Sequence, residues 1–511
     1  MRRGRLGGLS PARGDSPLFG LVALGLVAGA CGGSAALTVV DVREVSEPSG
    51  SPSLKGVRDL GAAELPDTGA MSAADSDGRF VVGELVLVEG DDLGKQPTLA
   101  IGGRPAEILR RTGAGGIVTR VPGGLRGGPA EITVTTSRGK DARSILVTRL
   151  GVVAGPATLS AIALPPGPGD ALPAAETTAL ASPARGLALS SDGSAAYVAA
   201  GDGLTVVALS SKGGPRALTP LPLEGGATIA VATADNLPLL AALGPSALTL
   251  LGTKDPIHPA RWSPWALPQE LVAGGPAKLA IDPAGQTAAI LLRQTNEVAL
   301  IDIVDPTKPV LRGKVAVLEN ERLPLARDLR FAADGRSLWV LVGASAASAQ
   351  AGDQPTRIIV LALSDKGEAT RAADVTLPGV GAPVALDLAR ARDFTTTAAV
   401  AVPLEDVAAY VAAADPALLV GASPTPKGHL VRAGTQGLTG APRDLDGVPA
   451  AIASVPDGSA ALIAIAAAGP GGIELAALFL GPGGAALRGL GTVDAALARA
   501  PFTFAHAAVQ P

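Results

Sequence analysis

Gly186-Leu187-Ala188-Leu189-Ser190-Ser191-Asp192-Gly193-Ser194-Ala195-Ala196-Tyr197-Val198 reads as a strand, a tight polar turn and a second strand. Apolar runs flank Asp-Gly, a pair suited to the positive φ angles that hairpin turns demand. The same rhythm returns at Leu279–Ile290 around Asp282-Pro283-Ala284-Gly285, at Leu329–Val340 around Asp334-Gly335, and at Ile452–Ile463 around Asp457-Gly458. Weaker copies surround Asp235-Asn236 and Asp393. A third apolar strand follows most copies, as in Leu204–Leu209, Glu297–Ile303 and Arg357–Leu363.

Spacing sets the architecture. The turns at 193, 236, 285, 335, 393 and 458 lie 43, 49, 50, 58 and 65 residues apart. A period of roughly 40–50 residues with about four short strands per repeat is that of β-propeller blades. Residues 152–511 number 360, room for about seven blades, and six to eight fit. A stack of sandwich domains is the rival reading. The longer gaps hold 343–356 and 415–447, which are polar, rich in Gly and Pro, and without strand patterning. Both are expected to be exposed, and at least one to touch a partner, because function concentrates in loops carried on a rigid scaffold. The repeats resemble the YVTN and lactonase-like propellers of surface proteins. For an enzyme of that kind, the resemblance implies polar or charged groups gathered at the central axis.

Ahead of this region, residues 79–151 carry short strands separated by turns, the pattern of a β-sandwich. Gly90-Asp91-Asp92-Leu93-Gly94 is followed by Ile101-Gly102-Gly103-Arg104-Pro105-Ala106. Val121-Pro122, Gly128-Pro129 and Ile132-Thr133-Val134-Thr135-Thr136 come next. In that order the residues resemble the IPT/TIG immunoglobulin-like domain, over about 70 residues. The resemblance implies a spacer or binding module. The chain departs from the family at its first strand, for which the best candidate, residues 37–45, lies far upstream. The expected fold is therefore all-β, an immunoglobulin-like sandwich followed by a propeller of about seven blades.

The N-terminus reads as an address. Arg2, Arg3, Arg5 and Arg13 precede a 14-residue apolar run from Pro17 to Ala30, too short for a spanning helix. A basic start, a short apolar core and small residues before a cut site describe a secretory signal over 1–30. Leu26-Val27-Ala28-Gly29-Ala30-Cys31 resembles the lipobox of bacterial lipoproteins, with Cys31 the chain's single cysteine and the residue to be lipidated. An ordinary signal peptide with a chance cysteine is the alternative. Two or more acyl chains, at about 0.8 kcal/mol per buried methylene, would hold a domain firmly to a membrane. Gly32 follows the cysteine, which resembles the outer-membrane default of enteric bacteria. Residues 31–78 then read as a tether with one candidate strand at 37–45.

Composition narrows the function classes. The leader carries four Arg and one Asp, so the remaining chain has 38 basic and 45 acidic residues, a net charge of −7. That balance argues against nucleic acid and against docking on anionic lipid by charge. A lone cysteine excludes internal disulfides. His258, His429 and His506 stand far apart, so a His-rich zinc site is not expected.

Other candidates have bland readings that outweigh the functional ones. His258 lies in Asp255-Pro256-Ile257-His258-Pro259 near Trp262 and Trp265, which reads as a packed loop before it reads as a ligand pocket. Asp91 and Asp92 lack the further oxygens that calcium takes. Glu319-Asn320-Glu321-Arg322 is a solvated loop, and Gly469-Pro470-Gly471-Gly472 lacks the Lys-Ser/Thr of a phosphate loop. No nucleophile triad is visible in the order of residues, although triads are assembled in space. The expected function is a non-catalytic binding or scaffolding lipoprotein of the bacterial cell envelope, lipid-anchored at the outer membrane, with an envelope protein as partner. No cofactor, metal or nucleic acid is expected. The alternative is a propeller hydrolase or lactonase-like enzyme.

Overall fold

The computed structural model describes residues 50–60 and 79–510, apart from 165–174, 344–354, 390–406, 415–427, 495–505 and shorter stretches. Cys31 and the candidate strand at 37–45 lie outside the described residues. The described chain is almost wholly β, with one five-residue helix at Gln269–Ala273.

Near the N-terminus two sheets share one core. The first has the order Ser53–Asp59, Leu85–Asp91, Ile117–Arg120, Ile108–Arg111. The second contains Arg104–Ala106, Thr98–Ile101, Gly128–Thr136 and the 16-residue strand Gly139–Ala154. Alternate side chains point inward along a strand, so Val86, Val88 and Ile117 meet Leu99, Ile101, Ile132 and Val134 in a single apolar cluster. The edge strand of the first sheet corrects the expectation of a tether over 31–78. Ser53–Asp59 pairs antiparallel with Leu85–Asp91, placing Val57 opposite Val88. Its Ser, Lys, Gly and Arg content hides it, because an edge strand needs only Leu54 and Val57 to reach the core.

Beyond the sandwich, seven sheets form a ring. Their innermost strands are Ala184–Leu189, Ala230–Thr233, Pro276–Ile281, Leu325–Phe331, Ala382–Ala389, Val448–Ser454 and His506–Val509, which number the blades 1 to 7. Each innermost strand touches the next, and His506–Val509 touches both Val448–Ser454 and Ala184–Leu189, which closes the circle. The seventh blade is built from both ends of the chain. His506–Val509 pairs with residues 151–154 of Gly139–Ala154, and Thr158–Leu164 and Glu176–Ala179 complete it. Gly139–Ala154 thus belongs to the sandwich over 139–148 and to the ring over 149–154, running unbroken between them.

The stretches around Gly193, Gly285 and Gly335 are the hairpins between first and second strands. Gly193, Gly285 and Gly335 take φ of 77°, 67° and 69° at these turns. At Gly193 close approach adds a second reason, since a Cβ there would lie 2.9 Å from Val82 Cγ1 of the sandwich. Between neighbouring blades lie closed apolar layers, such as Leu279, Ile281, Ile290 and Ile301 against Leu248 and Leu250. Each fully buried Leu or Ile contributes about 1.5–3 kcal/mol.

One further expectation is corrected. The stretch 415–447 is not a strandless insertion: Gly428–Gly434, Gly437–Leu438 and Arg443–Leu445 are strands of blade 5. Their short, Gly-interrupted sequence defeats the alternation test. Residues 344–354 and 415–427, and with them the expected partner loops, lie outside the described residues.

Candidate functional site at the ring axis

The innermost strands bring one residue per blade to equivalent positions. Blades 1, 3, 4, 5 and 6 share a register shift near the start of the innermost strand, at 185, 277, 327, 384 and 450, and their strands are aligned on it. Turn hydrogen bonds align blades 2 and 7 with them. One layer around the axis is Gly186, Ala230, Lys278, Asp328, Ala385, Ala451 and His506. Two residues further along, the next layer is Ala188, Ala232, Ala280, Arg330, Asp387, Ala453 and Ala508. Nine of these fourteen positions are Gly or Ala. Crowding explains them: a Cβ at Gly186 would already lie 3.1 Å from Val231 N. The other five are ionisable, and four of them fall in three consecutive blades, 3 to 5.

Four of the five, Lys278, Arg330, Asp387 and His506, line with Ser454 a cavity of about 230 Å³. Arg330 is the hub. Its Nη1 lies 3.1 Å from Asp328 Oδ1 and its Nε 3.5 Å from Asp387 Oδ1. Asp328 also accepts from the backbone N–H of Leu329 at 3.0 Å and of Leu386, in the next blade, at 3.2 Å. Asp387 accepts from Ser454 N and Oγ, each at 2.6 Å. Both carboxylates are therefore engaged, and they bind three blades to one another.

Electrostatics follow from this wiring. Burial opposes ionisation of Asp328, but Arg330, Lys278 and the two backbone donors outweigh it and hold the carboxyl below its usual range. Burial works against the Arg330 charge too, and the two aspartates more than restore it. Lys278 is different. Burial lowers its ammonium; Asp328 opposes that, while Arg330 and Arg293 add to it. No hydrogen bond or ion pair holds Lys278 among the described residues. Burial pushes His506 down to about 3, and nearby Lys278 adds to the effect. Its bond to the Ala184 backbone occupies one ring nitrogen, while the buried Nε2 finds no partner among the described residues. Such an imidazole is neutral near pH 7 and offers Nε2 as an acceptor.

The structure does not bring the three histidines together. His258 Nδ1 lies 3.1 Å from Asp255 in an exposed loop, and His429 Nδ1 lies 3.1 Å from Asp444 in blade 5. Trp262 and Trp265 pack against the apolar layer between blades 2 and 3, and Tyr197, fully buried, donates to the Pro256 carbonyl at 2.9 Å. The Asp255–Pro259 loop is thus packed at Pro256 and Ile257, while Asp255 and His258 face solvent. Asp91 pairs with Lys55 at 2.6 Å, and Asp92 takes a left-handed φ of 54° in the turn. Among the described residues no group of three or more His, Cys, Asp or Glu is placed to hold a metal ion. Glu319–Arg322 and Gly469–Gly472 lie outside the described residues.

Lys278, Asp328, Arg330, Asp387 and Ser454 were not candidates from sequence. The signal that finds them is a charged residue where aligned hairpin copies carry Ala or Gly, such as Lys278 and Asp328 against Gly186.

Comparison with known proteins gives one family match, the LVIVD repeat, over residues 293–317, which span the third and fourth strands of blade 3. No curated protein sequence matches the chain. Among solved structures, a candidate 6-phosphogluconolactonase of Bacteroides fragilis is 15% identical, with a TM-score of 0.47, over 67% of this chain and 94% of that one. A protein from Lactobacillus plantarum is 14% identical, with a TM-score of 0.46, over 71% and 99%. The periplasmic gluconolactonase of Pseudomonas aeruginosa is 14% identical, with a TM-score of 0.39, over 63% and 96%. These likenesses concern the path of the chain and assign no activity to it.

Proposed function

We propose that the chain is a lipid-anchored protein of the bacterial cell envelope whose propeller binds a small polar molecule in its axial pocket. The observation that carries the binding role is Lys278, a half-buried ammonium that lines the cavity and makes no hydrogen bond or ion pair among the described residues, in a ring most of whose axial positions are Gly or Ala. Packing has no use for it there, and Asp328, the countercharge that favours it, is shared with Arg330. Arg330, by contrast, is accounted for by its two aspartates. Binding is favoured over hydrolysis because Asp328 and Asp387 are already engaged and are poorly placed to activate water.

The anchoring part of the reading rests on the leader: Cys31 is the acylated residue, residues before it are removed, and the outer membrane is the destination. The N-terminal sandwich is read as an IPT/TIG-like spacer, supported by the order of its turn and strand motifs. An envelope protein docking on the loops is the partner this reading carries. A second reading, a propeller hydrolase, draws on His506, whose free Nε2 could accept a proton.

Two experiments test the proposal. The Cys31→Ser variant should leave the detergent phase or fail to be processed; detergent partitioning equal to that of the native chain refutes the anchor. Native mass spectrometry of the protein taken gently from its own membranes should show a small-molecule adduct that Lys278→Met loses. An adduct unaffected by that change places binding elsewhere. Turnover of simple lactones by the native chain, abolished in His506→Gln, would instead favour the hydrolase.

A further inference from the structure

We infer that one mouth of the axial channel is an anion subsite formed by Lys278, Arg293 and Arg327, which takes a phosphate or carboxylate group of the bound molecule. The inference deepens the axial-pocket reading and rests on it. The three cations come from neighbouring blades. Lys278 follows the register shift near the start of the innermost strand of blade 3, and Arg327 occupies the register shift of the innermost strand in blade 4. Arg293 follows the second strand of blade 3, where its N–H donates to the Gly275 carbonyl beside the start of the first strand. All three therefore stand at the end of the ring where innermost strands begin. Arg185, at the same level in blade 1, also borders the cavity.

Their charges are only partly balanced, since Asp328 favours Lys278 but is shared with Arg330. Arg327 Nε donates to the Gly343 carbonyl at 3.3 Å, but its buried Nη2 meets no acceptor among the described residues. Neither Lys278 nor Arg293 has an ion pair among the described residues. Arg293 lies near enough to disfavour the charge on both Lys278 and Arg327. The nearest described carboxylate, Asp328, is held by Arg330 and by two backbone N–H groups. Like charges gathered together repel one another, and an incoming anion offsets that repulsion while giving Arg327 Nη2 its missing acceptor and Lys278 Nζ a direct partner. Arginine's planar fork suits a multi-oxygen anion, and the lysine adds a point charge.

The test uses the full chain with inorganic phosphate and malonate as probes, titrated against chloride at matched ionic strength and followed by thermal unfolding and calorimetry. Saturable stabilisation by either probe is expected, and the stronger probe identifies the group as phosphate or dicarboxylate. Lys278→Met and Arg327→Gln should each weaken that binding by about tenfold or more, the loss of one charge-assisted bond. Lys278→Met should also melt higher than the native chain in chloride, because the repulsion is gone; that readout holds even if one variant fails to fold. Equal response to probe and chloride, or binding unchanged in both variants, overturns the anion subsite. If the native adduct is nevertheless lost in Lys278→Met, the axial pocket stands and only its anion preference fails.

Discussion

The side-chain amide of Gln510, the penultimate residue, donates from Nε2 to the carbonyl of Val82 at 2.9 Å, across 428 residues of chain. The same nitrogen donates to the Gly193 carbonyl at 2.7 Å, and Oε1 accepts from Leu150 N at 2.7 Å. One fully buried amide thus joins the sandwich, the first hairpin of the ring and the strand common to both. Gly83 packs against the same hairpin, where a Cβ would lie 2.4 Å from Ser194 N. Arg120 Nε reaches Asp192 at 3.4 Å. With Gly139–Ala154 continuous through the junction, the two bodies have no linker on which to swing.

Gln510→Ala should therefore act at three places together. It leaves the Val82 and Gly193 carbonyls and the Leu150 N–H buried without partners. A loss of about 3 kcal/mol is expected, because unsatisfied buried groups cost more than their hydrogen bonds contributed. Denaturant unfolding gives the number. The variant should also lose the coupling of sandwich and ring, seen as two separated transitions by calorimetry. A change under about 0.5 kcal/mol would mean the latch is incidental.

The sandwich edge offers a second prediction. A fragment of residues 50–148 should fold more stably than one of residues 79–148, because only the longer contains Ser53–Asp59 and its Leu54 and Val57 contacts. Circular dichroism melting of the two fragments compares them directly. Equal midpoints would show that the edge strand rests on the sheet without supporting it.

Why the hairpins were legible and the axis was not follows from the range of the interactions. Leu187, Leu189 and the Gly193 turn are fixed by neighbours a few residues away, so their pattern is written locally. His506–Val509 carries no turn signal of its own. It is a strand only because residues 151–154 wait for it across the closed ring. Ser53–Asp59 is hidden for a related reason, since half of it faces water. The axial residues come one or two from each of several distant strands, and each looks locally like an isolated surface charge. Only the alignment of blades shows Lys278 and Asp328 standing level with Gly186 and His506.

The aspartates of the hub should not be equivalent. Asp328→Asn removes the buried carboxylate that favours both Arg330 and Lys278, and about 2–3 kcal/mol should be lost, less than for a fully buried pair because Arg330 is 38% exposed. Asp387 is 21% exposed, and an asparagine there keeps an acceptor for Ser454. Its replacement should cost about 1–2 kcal/mol. Equilibrium unfolding of the two variants at pH 7 ranks them. The reverse order would place the centre of the network at Asp387.

The pH dependence of stability should carry the mark of His506. Its folded pKa, about 3, lies below the 6.5 of an unperturbed histidine. Between those values the unfolded chain binds a proton that the folded chain refuses, so stability falls as pH drops below about 6.5 and levels off for this group near 3. The slope from one such group is at most about 1.4 kcal/mol per pH unit. Carboxyls held low in the fold, Asp328, Asp302 and Asp374 among them, contribute in the same direction, but only from their ordinary value near 3.8 downward. Asp282, whose carboxyl burial holds above its ordinary value, acts in the opposite direction, so the histidine is isolated by comparing two chains from pH 6 to 4.5. Unfolding free energies of the native chain and of His506→Gln, measured across that interval, should converge as pH falls, with the variant showing the flatter profile. Parallel profiles would mean that His506 protonates in the folded ring as readily as in the unfolded chain, and that the axis is wetter than its packing implies.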